Sequence, residues 1–232
     1  MTDTLHDEIL SFQGVSVIAP PPYEFGLEDV NLLLRSGELA LIGVGRGQGI
    51  SPLADVAQGL ILPDRGQVSF LGNNWHGMRP AVAAERRGRI GRVFKSGGWI
   101  SNLNLDENIT LPQRHHSHRP VDEIYAQARK MGEFFGLRTL PNVRPAHLKK
   151  SLLRRAEWAR AFLGEPALII LEEPLKDAYS EVLHYLIKGI TGVLSRGAAV
   201  LWITADMPLL DRDLLAPIQT YQLKGARLEE TR

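Results

Sequence analysis

Two short stretches constrain this chain more than any others: "PALIILEEP" at 166–174 and "GAAVLWITAD" at 197–206. Each holds an unbroken apolar run with no alternation of polar residues, the pattern of a strand buried on both faces of a parallel sheet. Between them "SEVLHYLIKGITGVL" repeats its apolar residues at helical spacing. Strand, helix and strand within about thirty residues require a right-handed crossover, so the chain is predicted to build an α/β fold around a mainly parallel sheet.

The remaining segments fit around that unit. "GELALIGVG" reads as another buried strand, ending in a glycine turn, with "PLADVAQGLIL" as the helix after it. "GQVSFLGNNW" alternates and then turns, as a hairpin strand does. "GRIGRVF" is a further short strand. From about Gly98 to Lys150 no strand is expected. There Val121, Ile124, Ala128, Met131 and Phe135 recur at three- and four-residue steps, and Gly136 closes an amphipathic helix. A helical insertion therefore splits the core.

The 232 residues suffice for one large domain or a core with a smaller lobe. Lacking cysteine, the chain has no thiol catalysis, disulfides or Cys-ligated zinc. A formal charge of +1 gives no field that would favour nucleic acid. The start, "MTDTLHDEILSF", lacks the layout of a secretory signal. No apolar run approaches the roughly 18 residues of a membrane span, so a membrane role is expected to come through a partner. "HHSHRP", with His115, His116 and His118, lacks acidic support and helical spacing and is read as a surface loop, with no metal site expected.

The turn after the strand at 39–44 is "GVGRGQGISPLADV". Glycines followed by a helix form the layout of a phosphate-binding loop, G-x-x-x-x-G-K-[ST], but the lysine is missing. An acidic pair, Glu172-Glu173, closes a buried strand further on. A glycine loop, a helical insertion and an acidic pair in this order resemble the nucleotide-binding subunit of an ABC transporter, over nearly the whole chain. "ISNLNLDENITLP" is similar to the segment after that family's Q-loop. "RRAEWARAFLGEPALIILEEPL" resembles the join from its signature motif to Walker B, and "VLWITADMPLL" the strand ending at its switch histidine. The segment 102–112 leans towards bacterial lipid-transport importers of the mammalian-cell-entry type. The resemblance implies a P-loop NTPase-like (RecA-like) core at 1–97 and 151–232, with an antiparallel β subdomain and an inserted helical subdomain at 98–150, all within one nucleotide-binding domain.

On that resemblance the phosphate loop comprises Gly45, Arg46, Gly47, Gly49, Ile50 and Ser51, with Ile50 where the lysine belongs and Ser51 at the Mg²⁺ hydroxyl. A charge-assisted hydrogen bond to phosphate contributes about 1.5–3 kcal/mol, and a branched hydrocarbon cannot supply it. Pro52 has no N–H to offer a phosphate; it suits a first helical position, with Ser51 as N-cap. Asp55 in the first turn complements the helix dipole and would repel phosphate. The base-stacking aromatic falls on Ala19, with Tyr23 and Phe25 near but unplaced. The Q-loop glutamine becomes Lys95, and the signature reads Leu148-Lys149-Lys150-Ser151-Leu152. The Walker B aspartate becomes Glu172, the catalytic glutamate is kept as Glu173, and the switch histidine is Ala205.

Several of these residues have two readings. Glu172 and Glu173 are exposed strand-end charges or a vestigial catalytic pair. Lys149 and Lys150 are a solvated face or reach a partner's ATP. Lys95 or Arg46 replaces the missing lysine or does not. The aliphatic clusters of the inserted lobe are its own small core or a docking groove. Hydrolysis needs a phosphate clamp, a metal, a positioned water and transition-state charge, of which one alone is worth about 10³–10⁵ in rate. The function expected is a degenerate, non-hydrolysing ABC subunit that binds ATP and Mg²⁺ poorly or not at all. It would pair with a second ABC ATPase subunit, as hetero- or homodimer, and hold a transmembrane permease, on the cytoplasmic face of the membrane without entering it. The alternatives are an ATPase with relocated cations and a cytosolic binding module reusing the fold.

Overall fold

The computed structural model describes residues 8–45, 49–178, 182–205 and 218–231. Five strands of the main sheet run parallel: β3 (Leu39–Val44), β6 (Ile90–Val93), β7 (Leu168–Glu172), β8 (Ala199–Thr204) and β9 (Ile218–Lys224). With β10 (Arg227–Glu230) antiparallel at one edge, the order is β10-β9-β3-β8-β7-β6. The two apolar runs of the sequence thus lie side by side as β7 and β8, with Leu168 opposite Ala199 and Leu171 opposite Trp202.

The alternation of a strand sorts their side chains into two cores. Leu168, Ile170, Ala199 and Leu201 point to one face, with Ala40 and Ile42 of β3. Ile169, Leu171, Val200 and Trp202 point to the other, with Leu39 and Leu41. Full burial of each large aliphatic side chain contributes about 1.5–3 kcal/mol, so a polar substitution on either face of β7 is costly.

The first face is covered by a second sheet of β1 (Glu8–Val17), β2 (Leu27–Arg35), β4 (Arg65–Phe70) and β5 (Asn73–Asn74), antiparallel in the order β2-β1-β4-β5. Glu28 fastens this sheet to the β9–β10 hairpin. Its N–H donates to the Ala226 carbonyl at 2.8 Å, and its carboxylate accepts both Arg227 Nε (3.1 Å) and Nη2 (2.6 Å).

Helices cover the second face: α5 (Lys150–Phe162), through Trp158, Ala159 and Phe162, and α6 (Leu183–Leu194), through Leu186, Ile190 and Val193. The β6–β7 crossover also carries α3 (Leu105–His116) and α4 (Val121–Phe134). These two meet α5 around a small core of their own: Leu105, Ile109, Ile124, Ala128, Leu137, Ala156 and Leu163. The expected α4 stripe is divided. Ile124 and Ala128 face that small core, while Met131 and Phe135 reach the core beneath the main sheet. Val121, expected on the buried face, is 51% exposed at the first position of the helix.

The helix after the glycine turn is shorter than "PLADVAQGLIL" suggests. α1 covers only Leu53–Ala57. Gly59 ends it at φ +67°, and a Cβ there would overlap the Trp75 indole. Trp75 Nε1 in turn donates to the Ala57 carbonyl at 3.2 Å. Leu60 and Leu62 are left 55% and 46% exposed. The remaining helix, α2 (Pro80–Arg87), buries only Ala83. Among the described residues no helix is long and apolar enough to cross a membrane.

Candidate nucleotide site

The C-terminal ends of β3, β7 and β8 converge, which is where open parallel sheets bind ligands. Six residues singled out from the sequence are placed at that edge. Gly49, Ile50, Ser51, Lys95, Glu172 and Glu173 line a cavity of about 40 Å³, closed by apolar atoms of Val44, Leu53, Ile203 and Leu223. Gly45 directly follows β3; Arg46 and Gly47 lie outside the described residues. Lys149, Lys150 and Ser151 are not in this lining. They open α5, with Lys149 as its N-cap residue and both lysine side chains exposed.

A residue that sequence reasoning passed over ties this edge together from the outermost strand. Arg92 of β6 is only 8% exposed. Its Nε donates to Glu172 Oε1 at 2.8 Å, and its Nη1 donates to Asp55 Oδ1 and to Gln58 Oε1 at 2.9 Å. One guanidinium thereby joins β6, the end of β7 and the short helix α1. Burial works against its charge, yet Glu172 and Asp55 outweigh that and raise its pKa above the arginine range. Burial also raises the Glu172 pKa; Arg92 opposes this and Asp55 adds to it, as happens when two carboxylates share one cation. Asp55, expected to complement the helix dipole and repel phosphate, is paired: Arg92 and the Tyr23 hydroxyl both donate to it. Of the two readings of Glu172, the exposed strand-end charge does not hold: its side chain is 15% exposed.

Glu173 turns the other way. It adopts φ +46°, outside the usual range for a residue with a side chain. Its N–H donates to the Ile203 carbonyl at 2.9 Å. Its Oε1 accepts the Ala205 N–H at 2.8 Å and its Oε2 the Thr204 hydroxyl at 3.0 Å. Both carboxylate oxygens are thus engaged by the end of β8, and Ala205 takes part through its backbone.

The start of α1 also differs from expectation by one position. Pro52 is the N-cap and the helix begins at Leu53, because the Pro52 carbonyl already accepts the Val56 N–H at 2.9 Å. Ser51 sits one residue further out, its Oγ accepting the Leu53 N–H at 3.3 Å. The Ile50 side chain is 40% exposed. Phe25 packs against the core under the antiparallel sheet.

Behind this edge α5 carries a second buried charge cluster that the sequence reading did not single out. Arg154 donates to the carbonyls of Lys176 (2.9 Å) and Phe94 (3.3 Å) and pairs with Glu157 at 2.5 Å. Arg160 donates to the Gly98 (2.7 Å) and Gly97 (3.2 Å) carbonyls and stacks on Trp99 at 4.4 Å. Burial pushes the Glu157 carboxyl up to about 7, against the pull of both arginines. Together they pin the segment after β6 and the turn after β7 to one helix. Among the described residues no group of three or more His, Cys, Asp or Glu is placed to hold a metal ion.

The model of the family described as "ABC transporter" matches residues 27–176. The chain belongs to the ABC transporter family. Among its relatives is MlaF of Escherichia coli K12, an intermembrane phospholipid transport system ATP-binding protein. The two are 28% identical over 182 residues, 78% of this chain and 68% of MlaF. The Haemophilus influenzae MlaF is 29% identical over 147 residues, 63% of this chain and 56% of that protein. Solved ABC cassettes share the fold. The ATP-binding cassette MJ0796, in a dimeric post-hydrolysis state with ADP and phosphate, superposes with a TM-score of 0.83 at 21% identity, over 97% of this chain and 99% of that one. An ATP-binding subunit of an ABC transporter superposes at 0.77 and 22% identity, over 95% and 88%. The P-loop NTPase-type α/β fold expected from the sequence is the fold of these cassettes.

Proposed function

We propose that this ABC subunit is a structural rather than a hydrolytic member of its transporter, and that its own nucleotide site has lost its chemistry. The observation that carries the reading is Arg92, buried between Asp55 and Glu172. A cassette places Mg²⁺ and phosphates against such a strand-end acid, and here a guanidinium fixed on β6 already neutralises it. The residues present do not fit a magnesium nucleotide. Pro52 offers no N–H and Ile50 no charge. Glu173, the position that would orient water, has both oxygens engaged.

In this reading the chain pairs with a second cassette, identical or not, and holds a permease at the inner membrane face. The names of the MlaF relatives supply the substrate class proposed, a phospholipid. A cavity of about 520 Å³ between the core and the helical lobe (proposed as residues 98–150) offers apolar surface for the permease, through Leu60, Phe94 and Leu111.

Calorimetry with MgATP tests the first half of this reading. The native chain is expected to give no heat, and the Ile50→Lys/Pro52→Thr variant to bind. Micromolar binding by the native chain overturns it. That result would favour the second reading, an ATPase with relocated cations, for which Lys95 in the cavity lining is the supporting observation. A binding module without a permease is the reading left if no membrane protein co-purifies in detergent.

A further inference from the structure

The loop joining β1 to β2 lies across the glycine turn. Three contacts hold it there. The Glu24 N–H donates to the Ile50 carbonyl at 3.1 Å, and the Tyr23 hydroxyl donates to Asp55 Oδ2. The Glu24 side chain itself covers Gly49: a Cβ on that residue would overlap the Glu24 carboxyl carbon and Oε2. At Gly49 a side chain of the protein therefore occupies the approach, and what occupies it is a carboxylate. The anchor beneath is firm, since Asp55 is held by Arg92 and Arg92 by Glu172.

From these contacts we infer that residues 18–26 form a strap that covers Gly49 with the chain's own anion, Glu24, so that a phosphate group reaches Gly49 only when the strap lifts. The inference rests on the reading of the turn as a phosphate loop that has lost its lysine, and adds a self-inhibiting contact to it. Tyr23 serves as the catch: its hydrogen bond to Asp55 is the side-chain link from the strap to the ion-paired edge of the sheet. The ligand class excluded is any phosphate-bearing nucleotide, because a carboxylate beside the entering phosphate repels it at a few ångströms' separation.

Two experiments test the strap, and neither depends on the other. In the Ile50→Lys/Pro52→Thr background, Glu24→Ala is expected to tighten ADP and MgATP binding at least tenfold by calorimetry; equal affinity with and without Glu24 overturns the seal. That outcome leaves the lost-site reading intact, whereas micromolar MgATP binding by the unmodified chain removes both. The second experiment needs no nucleotide. Gly49 is outside the left-handed region, so Gly49→Ala meets only a space problem, and it is expected to displace the strap. Hydrogen exchange at the Glu24 amide should then rise at least tenfold in the native background, with no further rise when Glu24 is already alanine. Unchanged exchange in Gly49→Ala overturns the proposal.

Discussion

Arg92 of β6 reaches two positions along the neighbouring parallel strand to Glu172, Nε to Oε1 at 2.8 Å, with side chains only 7% and 15% exposed. Asp55 completes the group from α1, so three separate elements meet on one guanidinium. A buried pair of this kind is weak evidence of added stability, but breaking it from one side leaves an uncompensated charge.

Replacing Arg92 by Met should therefore cost about 3–5 kcal/mol in denaturant unfolding. Adding Asp55→Asn and Glu172→Gln to that variant should recover more than half of the loss, because the stranded carboxylates are then gone. A triple variant no more stable than the single one would show that the cost comes from packing.

Glu157 makes stability depend on pH. Its folded pKa is raised from 4.5 to about 7 by burial, so between those values the folded state holds a proton that the unfolded state has released. Stability is greatest below pH 4.5 from this group, falls as pH rises to about 7, and is level beyond. Glu157→Gln should flatten that fall. Paired melts at pH 5 and pH 8 measure it.

Glu173→Gln separates a structural from a catalytic role. A glutamine keeps the Ala205 N–H on its carbonyl oxygen and donates its amide to the Thr204 hydroxyl, which accepts in place of donating. The melting temperature should change little, while phosphate release from MgATP stays at background before and after the change. Turnover that disappears in the variant would place Glu173 in a working site.

Gly59→Ala is expected to destabilise by at least about 2 kcal/mol, combining the left-handed φ of +67° with overlap on Trp75. The Trp75 fluorescence should shift to longer wavelength as the indole loses its place on the end of α1.

The sequence by itself determined the sheet. The runs at 168–171 and 199–202 are apolar without interruption, and only a strand covered on both faces has a use for that, so their parallel pairing was legible before any coordinates. The β4–β5 hairpin, the α4 helix and its Gly136 stop were legible for the same reason: each is encoded by local spacing or by one backbone preference. α2 and the β9–β10 hairpin were not, since α2 buries a single alanine and β10 is mostly exposed, leaving little periodic signal. At the candidate site, the residues lining the cavity could be found by spacing from recognisable motifs, but their state could not. Asp55, Glu172 and Glu173 carry the same charge in the sequence whether they face water, a metal or an arginine. What decided among these was tertiary structure: register sets Arg92 of β6 beside β7, and the β1–β2 loop brings Tyr23 and Glu24 over the turn. Electrostatic partnership acts through space between residues 37 and 80 positions apart, and no local pattern records it.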